Sequence, residues 1–170
     1  FYPQRNLFSH VIGQIDEDNY GISGLEKSFD QNLKNQETIN SSLKLTLDSN
    51  LQHIMREELI RAQKDFGATG SAALLMDINS GEILSLLSLP DFDLNQRKKI
   101  DEDIYTNKIT KGVYELGSVF KTFTIAAGLE NKVINPDTVF NNLENSINCD
   151  KYTISEHDEL PKKLSTEQIL

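Results

Sequence analysis

The chain has 170 residues and a net charge of -9, from 17 Lys and Arg against 26 Asp and Glu, with 38% hydrophobic and 25% charged residues. That length suits about one domain, the apolar fraction excludes a disordered chain, and the acidic balance argues against binding nucleic acid or an anionic lipid surface. The single cysteine, Cys149, excludes an internal disulfide framework and any multi-cysteine metal site, and the longest apolar runs fall far short of the roughly 18 residues of a membrane span.

In chain order, residues 1–21 mix polar and apolar side chains, with Pro3, Gly13 and Gly21 as breaks. Leu7-Phe8-Ser9-His10-Val11-Ile12 predicts a short strand and Asp16-Glu17-Asp18-Asn19 an acidic turn. Residues 23–34 have helical spacing, with Leu25, Phe29 and Leu33 on one face, Ser23 as N-cap and Glu26 completing a capping box. Residues 34–42 are polar and aperiodic; they read as a linker, with a domain boundary between 38 and 39. Leu43 to Leu47 alternates as a half-buried strand does. Asp48 or Ser49 then caps a helix over 50–66, whose stripe of Leu51, Ile54, Met55, Leu59, Ala62 and Phe66 should face inward.

Two apolar runs, 72–78 and 82–88, flank Asn79-Ser80-Gly81 and predict a β-hairpin. The first run is apolar on both faces, so the hairpin should be covered on both sides. Residues 91–113 read as a long charged loop, of the kind that is functional or mobile. Residues 117–130 predict a helix and 131–164 loops, and Ser165-Thr166-Glu167-Gln168 is a capping box opening a last helix. The chain starts at Phe1 and closes in that helix, so both ends are expected to be internal to a longer protein.

Two Ser-x-x-Lys matches occur among the 14 serines, about what chance supplies. Ser41 to Lys44 spans the polar linker and an outward strand position, which makes it structural. Ser118 instead follows Gly117 where a helix must start, and that helix is apolar nearly all round, which predicts burial. Lys121 is its only charge before Glu130, and a buried ammonium is costly unless it is partnered or gives up its proton. A spacing of three places both side chains on one face. A desolvated lysine beside a serine hydroxyl can act as general base and create a nucleophile, with N–H groups of the helix start facing a developing oxyanion. The same residues also read as an N-cap serine and a snorkelling lysine. The residues alone leave both readings open.

Tyr114-Glu115-Leu116-Gly117-Ser118-Val119-Phe120-Lys121-Thr122 resembles the Tyr-Glu-Pro-Gly-Ser-x-x-Lys segment of class B penicillin-binding proteins, the D,D-transpeptidases that cross-link peptidoglycan. Other segments agree in order. Tyr2-Pro3 with His10-Val11-Ile12-Gly13, and Gly21 to Asp30, resemble the end of that family's pedestal, or dimerisation, domain. Leu45-Thr46-Leu47-Asp48 with Leu51-Gln52 is similar to the opening of its transpeptidase domain, and Met76 to Leu84 and Ser88 to Asn95 to its first hairpin and the loop after it.

The resemblance implies an α+β fold with an antiparallel sheet: residues 1–38 would end the pedestal, and 39–170 would be the N-terminal part of the transpeptidase domain. It also implies that Ser118 is acylated by the D-alanyl-D-alanine end of a stem peptide, that Lys121 takes its proton, and that the Ser118 N–H is one oxyanion donor. No cofactor or metal is implied. β-Lactams and cell-wall synthesis or division membrane proteins would be partners, and the septal type is favoured by the wording of the motif. A membrane anchor is expected upstream of the fragment, on the extracytoplasmic, periplasmic side, the fragment itself being soluble.

Three departures stand out. Leu116 replaces the family's proline, which bears on loop stiffness. The linker is short. The family's Ser-x-Asn and Lys-Thr-Gly motifs read as absent, because His157 to Leu170 resembles the stretch before Ser-x-Asn. The chain is therefore expected to be inactive and partly unfolded past Asp91. A second reading, a non-enzymatic pedestal or scaffold module, is disfavoured by the intact Ser118 and Lys121.

Other chemistry is weak. His10, His53 and His157 are too scattered for a metal site, and Cys149 has no activating neighbour in sequence. Asp16, Glu17 and Asp18, or Asp91 and Asp93, could be carboxylate pairs but read as turn residues. Phe120 and Phe123 read as core.

Overall fold

The computed structural model describes residues 1–35, 42–96, 100–156 and 158–169. They form two compact units, Phe1–Val113 and Tyr114–Leu170. The boundary expected between 38 and 39, Ser41 and His157 lie outside the described residues.

In the first unit three short helices, α1 (Ser9–Ile12), α2 (Gly24–Ser28) and α3 (Asp30–Lys34), precede the long α4 (Ser49–Asp65). A hairpin of β1 (Ser71–Met76) and β2 (Ile83–Leu89) follows, then α5 (Glu102–Tyr105). The core gathers on β2: Leu86, Leu87 and Leu89 are buried with Leu94, and α4 packs against the strand.

Local rules succeed where the partner is close in sequence. Asp48 caps α4 through Oδ1, which accepts from the N–H groups of Asn50 (2.8 Å) and Leu51 (3.0 Å). The hairpin runs from Ser71 opposite Leu89 to Met76 opposite Ile83, with a bulge between Leu75 and Met76. Asp77 shapes its turn by accepting from the N–H groups of Asn79 (2.9 Å) and Ser80 (2.8 Å).

Elsewhere tertiary contacts overrule the local pattern. Residues 7–12 are not a strand but turns leading into α1. Among the described residues no strand pairs with them through a ladder, and Ser9 is buried where α1 packs on α2 and β2. Gly13 follows at φ +81°, where a Cβ would run into the Ser23 carbonyl. Residues 23–34 form two helices rather than one, broken at Phe29. The capping box there does not form, because Ser23 Oγ accepts from the Gln14 N–H (2.9 Å) and Glu26 accepts from the Tyr2 hydroxyl (3.0 Å).

Residues 43–47 are not a strand either. They run beside the start of β2 through Thr46 Oγ1, which donates to the Ile83 carbonyl, while the Asp48 N–H donates to that of Leu84. The stripe of α4 is partly wrong: Leu51, Met55, Leu59 and Ala62 are half-buried, Ile54 and Phe66 are exposed, and the helix's one buried residue is Gln52. The hairpin is not covered evenly, since β2 is buried whereas Leu74, Leu75 and Met76 of β1 are exposed.

The second unit holds a 3-10 turn (Gly117–Phe120), α6 (Lys121–Glu130), β3 (Val139–Asn141), β4 (Ser146–Cys149), β5 (Tyr152–Ser155), β6 (Lys163–Ser165) and α7 (Thr166–Ile169). β3 pairs with β6 and β4 with β5, both antiparallel. The described residues past Asp91 carry regular elements, and 139–165 contains four strands where loops were expected. The capping box of α7 forms: the Ser165 N–H donates to Gln168 Oε1 (2.9 Å), and the Gln168 N–H to Ser165 Oγ (3.3 Å).

Candidate functional site

The Ser-x-x-Lys at 118–121 lies across the junction of the 3-10 turn and α6. Gly117 opens the turn at φ +55°, a left-handed conformation that glycine adopts without steric cost. Leu116, not Ser118, is the capping residue, so the serine is one residue inside the turn. Among the described residues the Ser118 N–H and Oγ have no hydrogen-bond partner. An unpaired first-turn N–H beside the hydroxyl is a donor available to an anionic oxygen.

Lys121 departs from expectation. Its side chain is 52% exposed, and Nζ donates to Glu156 Oε1 at 3.2 Å. Burial therefore cannot be what prepares this lysine, and an exposed pair of this kind contributes about 0–1 kcal/mol. The rest of the segment is equally open: no residue of the turn or of α6 is buried, and Val119, Phe120, Phe123 and Leu129 are exposed. Phe120 and Phe123 pack on each other, with centroids 5.7 Å apart, rather than in a core. The expectation of an apolar helix buried on all sides is corrected accordingly.

Glu156 escaped the sequence reading, because nothing in a stretch of loop-like composition marks a carboxylate 35 positions away as the lysine's partner. Its N–H donates to the Asn145 carbonyl (2.9 Å), which ties it to the base of the β4–β5 hairpin. That hairpin also carries Ser146-Ile147-Asn148, which has the letters of Ser-x-Asn although that motif was read as absent. Asn148 Oδ1 accepts from the hydroxyl of its cross-strand neighbour Thr153 (2.8 Å). Among the described residues no hydrogen bond joins this tripeptide to Ser118 or Lys121.

The remaining candidates are structural. His10 is half-buried: Nε2 donates to the Ile104 carbonyl (2.7 Å), and its ring meets Phe92 edge-on at 5.2 Å. Burial holds this histidine below its ordinary value, partly opposed by the bond to Ile104. His53 and Cys149 are exposed. Asp16 and Asp93 close local turns. Asp91 does more than a turn residue: it takes Arg56 Nε at 2.7 Å and NH2 at 3.2 Å, and Asn6 Nδ2 at 3.1 Å, joining α4, the loop after β2 and the N-terminal segment. Among the described residues no cluster of three potential metal ligands occurs, and no helix is long and apolar enough to cross a membrane.

Residues 71–170 match the model of the penicillin-binding protein transpeptidase domain. The chain is 31% identical over 140 residues to the "Probable peptidoglycan D,D-transpeptidase FtsI" of Caulobacter vibrioides, covering 82% of this chain and 24% of that protein. It is 33% identical over 159 residues to stage V sporulation protein D of Bacillus subtilis, covering 79% and 25%. Among solved structures it resembles penicillin-binding protein 3 of Mycobacterium tuberculosis, with a TM-score of 0.74 at 27% identity, over 94% of this chain and 37% of the other. The chain thus spans about a quarter of the length of these curated relatives.

Proposed function

Because the chain belongs to the penicillin-binding protein transpeptidase family, we propose that it carries the nucleophile-bearing part of a class B peptidoglycan D,D-transpeptidase. The observation that carries this reading is the Gly117-Ser118-x-x-Lys121 turn, inside the matched residues, with the serine one position inside a helix start. In the whole enzyme Ser118 Oγ attacks the penultimate D-alanine carbonyl of a stem peptide while Lys121 accepts the hydroxyl proton. The acyl–oxygen bond forms, the amide bond breaks, and the terminal D-alanine leaves with a proton. An amine of a neighbouring stem then takes the acyl group and frees the serine. The Ser118 N–H serves as one oxyanion donor.

The relative named FtsI supports a role in cell division. A membrane-anchored, periplasmic placement and partners among division membrane proteins complete this reading. The inactivity expected of the present chain by itself is supported by its lysine, which is exposed and paired with Glu156 rather than with the serine. That same observation favours, for the chain alone, the second reading of a non-enzymatic scaffold.

The test is intact mass after incubation with a penicillin, on a protein that continues this chain through a complete transpeptidase domain, beside its Ser118→Ala variant. One added drug mass that the variant lacks is the expected result. Absence of an adduct on the folded protein overturns the assignment, and an adduct on the 170-residue chain overturns its inactivity.

A further inference from the structure

The first unit contains a cavity of about 460 Å³ where α1, α2 and residues 105–111 meet, within the size range of sites for small ligands. Its lining mixes polar side chains with apolar ones, Val11, Leu25, Leu86 and Phe92 among the latter. Its charge is one-sided. Lys27 and Lys111 line it, and among the described lining residues there is no Asp or Glu, in a chain where acids outnumber bases by 26 to 17.

Most of the cavity's polar side chains are already engaged by the protein. Ser23 Oγ accepts from the Gln14 N–H, Ser28 Oγ donates to the Gly24 carbonyl, and Asn107 Oδ1 accepts from the Ile109 N–H. The two ammonium groups are not: among the described residues neither Lys27 nor Lys111 has a hydrogen-bond or ion-pair partner. Both lysines are exposed, whereas Leu86 is buried and Phe92 half-buried.

We propose that this cavity binds an amphipathic carboxylate of the acylated amino-acid type, with its apolar side chain against Leu86 and Phe92 and its carboxylate between Lys27 and Lys111. Two unpartnered lysines in one lining with apolar side chains suit a ligand that has both parts and neither part alone. A neutral ligand leaves the lysines unused, and a bare anion gains only a solvent-screened contact. The site is independent of Ser118, and so of the acyl-transfer reading.

The experiment is a titration of the isotope-labelled chain, followed by amide chemical shifts, with three probes: N-acetyl-phenylalanine, its neutral amide N-acetyl-phenylalaninamide, and acetate. The free acid should shift the amides of 23–28 and 105–111 with a Kd of about 1 mM. The amide and acetate should each bind roughly fivefold or more weakly at that site, and Lys27→Gln with Lys111→Gln should weaken the free acid by a similar factor. Both lysines are exposed and unpaired, so the double variant keeps its fold, and an unchanged spectrum without probe verifies this. Shifts by acetate equal to those by the acid overturn the proposal in favour of surface ion pairing, and equal shifts by the amide overturn it in favour of apolar contact. Absence of shifts at these residues overturns it outright.

Discussion

Gln52 shows what a single side chain does in this fold. It is fully buried, and all its bonding capacity is used on the first unit's core. Nε2 donates to the Leu7 (2.9 Å) and Leu86 (2.8 Å) carbonyls, and Oε1 accepts from Ser85 Oγ (2.7 Å) and the Leu86 N–H (3.0 Å). One residue of α4 thus joins the N-terminal segment to β2. Leucine there fills the space but strands four polar groups, and each unsatisfied buried group costs about 1–3 kcal/mol. Some will find water, so Gln52→Leu should lower stability by about 3 kcal/mol in urea unfolding; a loss below about 0.5 kcal/mol would mean the network is dispensable. These bonds were not legible in the sequence, where the apolar stripe of α4 includes Leu51 and passes over Gln52. The hydrophobic period finds apolar faces and has no term for a polar residue satisfied by distant backbone.

His10 carries the second residue-scale prediction. Burial lowers its affinity for a proton below the ordinary 6.5, the bond to Ile104 and the charge of Asp91 acting against burial and that of Lys108 with it. The unfolded chain therefore binds a proton first as pH falls. The stability that neutral His10 contributes is complete above 6.5 and is lost as pH falls through 6.5 toward the lower folded value. The urea midpoint should drop between about pH 7.5 and about pH 5.5, and drop less in His10→Gln, which keeps a donor for the Ile104 carbonyl. Equal drops in the two proteins would remove His10 from the account.

At the scale of elements, what decides legibility is the distance over which the determining contact acts. Asp48 and the Ser165–Gln168 box cap their helices as read, because both ends of each bond lie within three residues. Asp48→Ala should therefore cost about 1 kcal/mol, measured as a shift in the urea midpoint with unchanged slope. Ser23 and Glu26 had the same local signature, but Gln14 and Tyr2, from elsewhere in the chain, engaged both. Gly13 is a similar case. The sequence showed only a break, whereas the structure shows a left-handed residue pressed against the Ser23 carbonyl. Gly13→Ala combines an unfavourable φ with a collision against backbone, and should cost more than about 1 kcal/mol, the usual penalty of left-handed backbone at alanine. The β4–β5 hairpin was missed because its strands are four residues each and exposed throughout, so no buried face imposed an alternation to read. The Ser118 helix was placed correctly as an element but wrongly in depth. An apolar composition states what a helix could bury, and the neighbours that do the burying are not in the helix.

For the whole molecule, burial is distributed unevenly between the two units. Every buried hydrophobic residue described, Leu86, Leu87, Leu89 and Leu94, belongs to Phe1–Val113, while Thr166 is the one buried residue among the described residues of Tyr114–Leu170. Hydrophobic burial supplies the dominant favourable term in folding, and segments with few buried apolar contacts open at low free-energy cost. Limited proteolysis should therefore begin after residue 113, among the exposed Val119, Phe120 and Phe123, and leave a resistant fragment ending near Val113. Intact mass of the digestion products against time reads this directly. The fragment should keep the urea midpoint of the parent chain, because the Gln52 network, the Arg56–Asp91 pair and the β1–β2 hairpin all lie within it. Cleavage at equal rates in both units, or a fragment that unfolds much earlier than the parent, would show that the stability of 1–113 depends on the residues that follow. The family reading asks the second unit to hold Ser118 and Lys121 for acyl transfer, and transfer of that kind needs groups fixed within a fraction of an ångström. A unit this poor in buried contacts does not fix them by itself, so in the whole enzyme that rigidity has to come from packing of 114–170 against further protein. Protection of the 118–130 amides from hydrogen exchange should accordingly be low in this chain and high in a protein that acylates with penicillin.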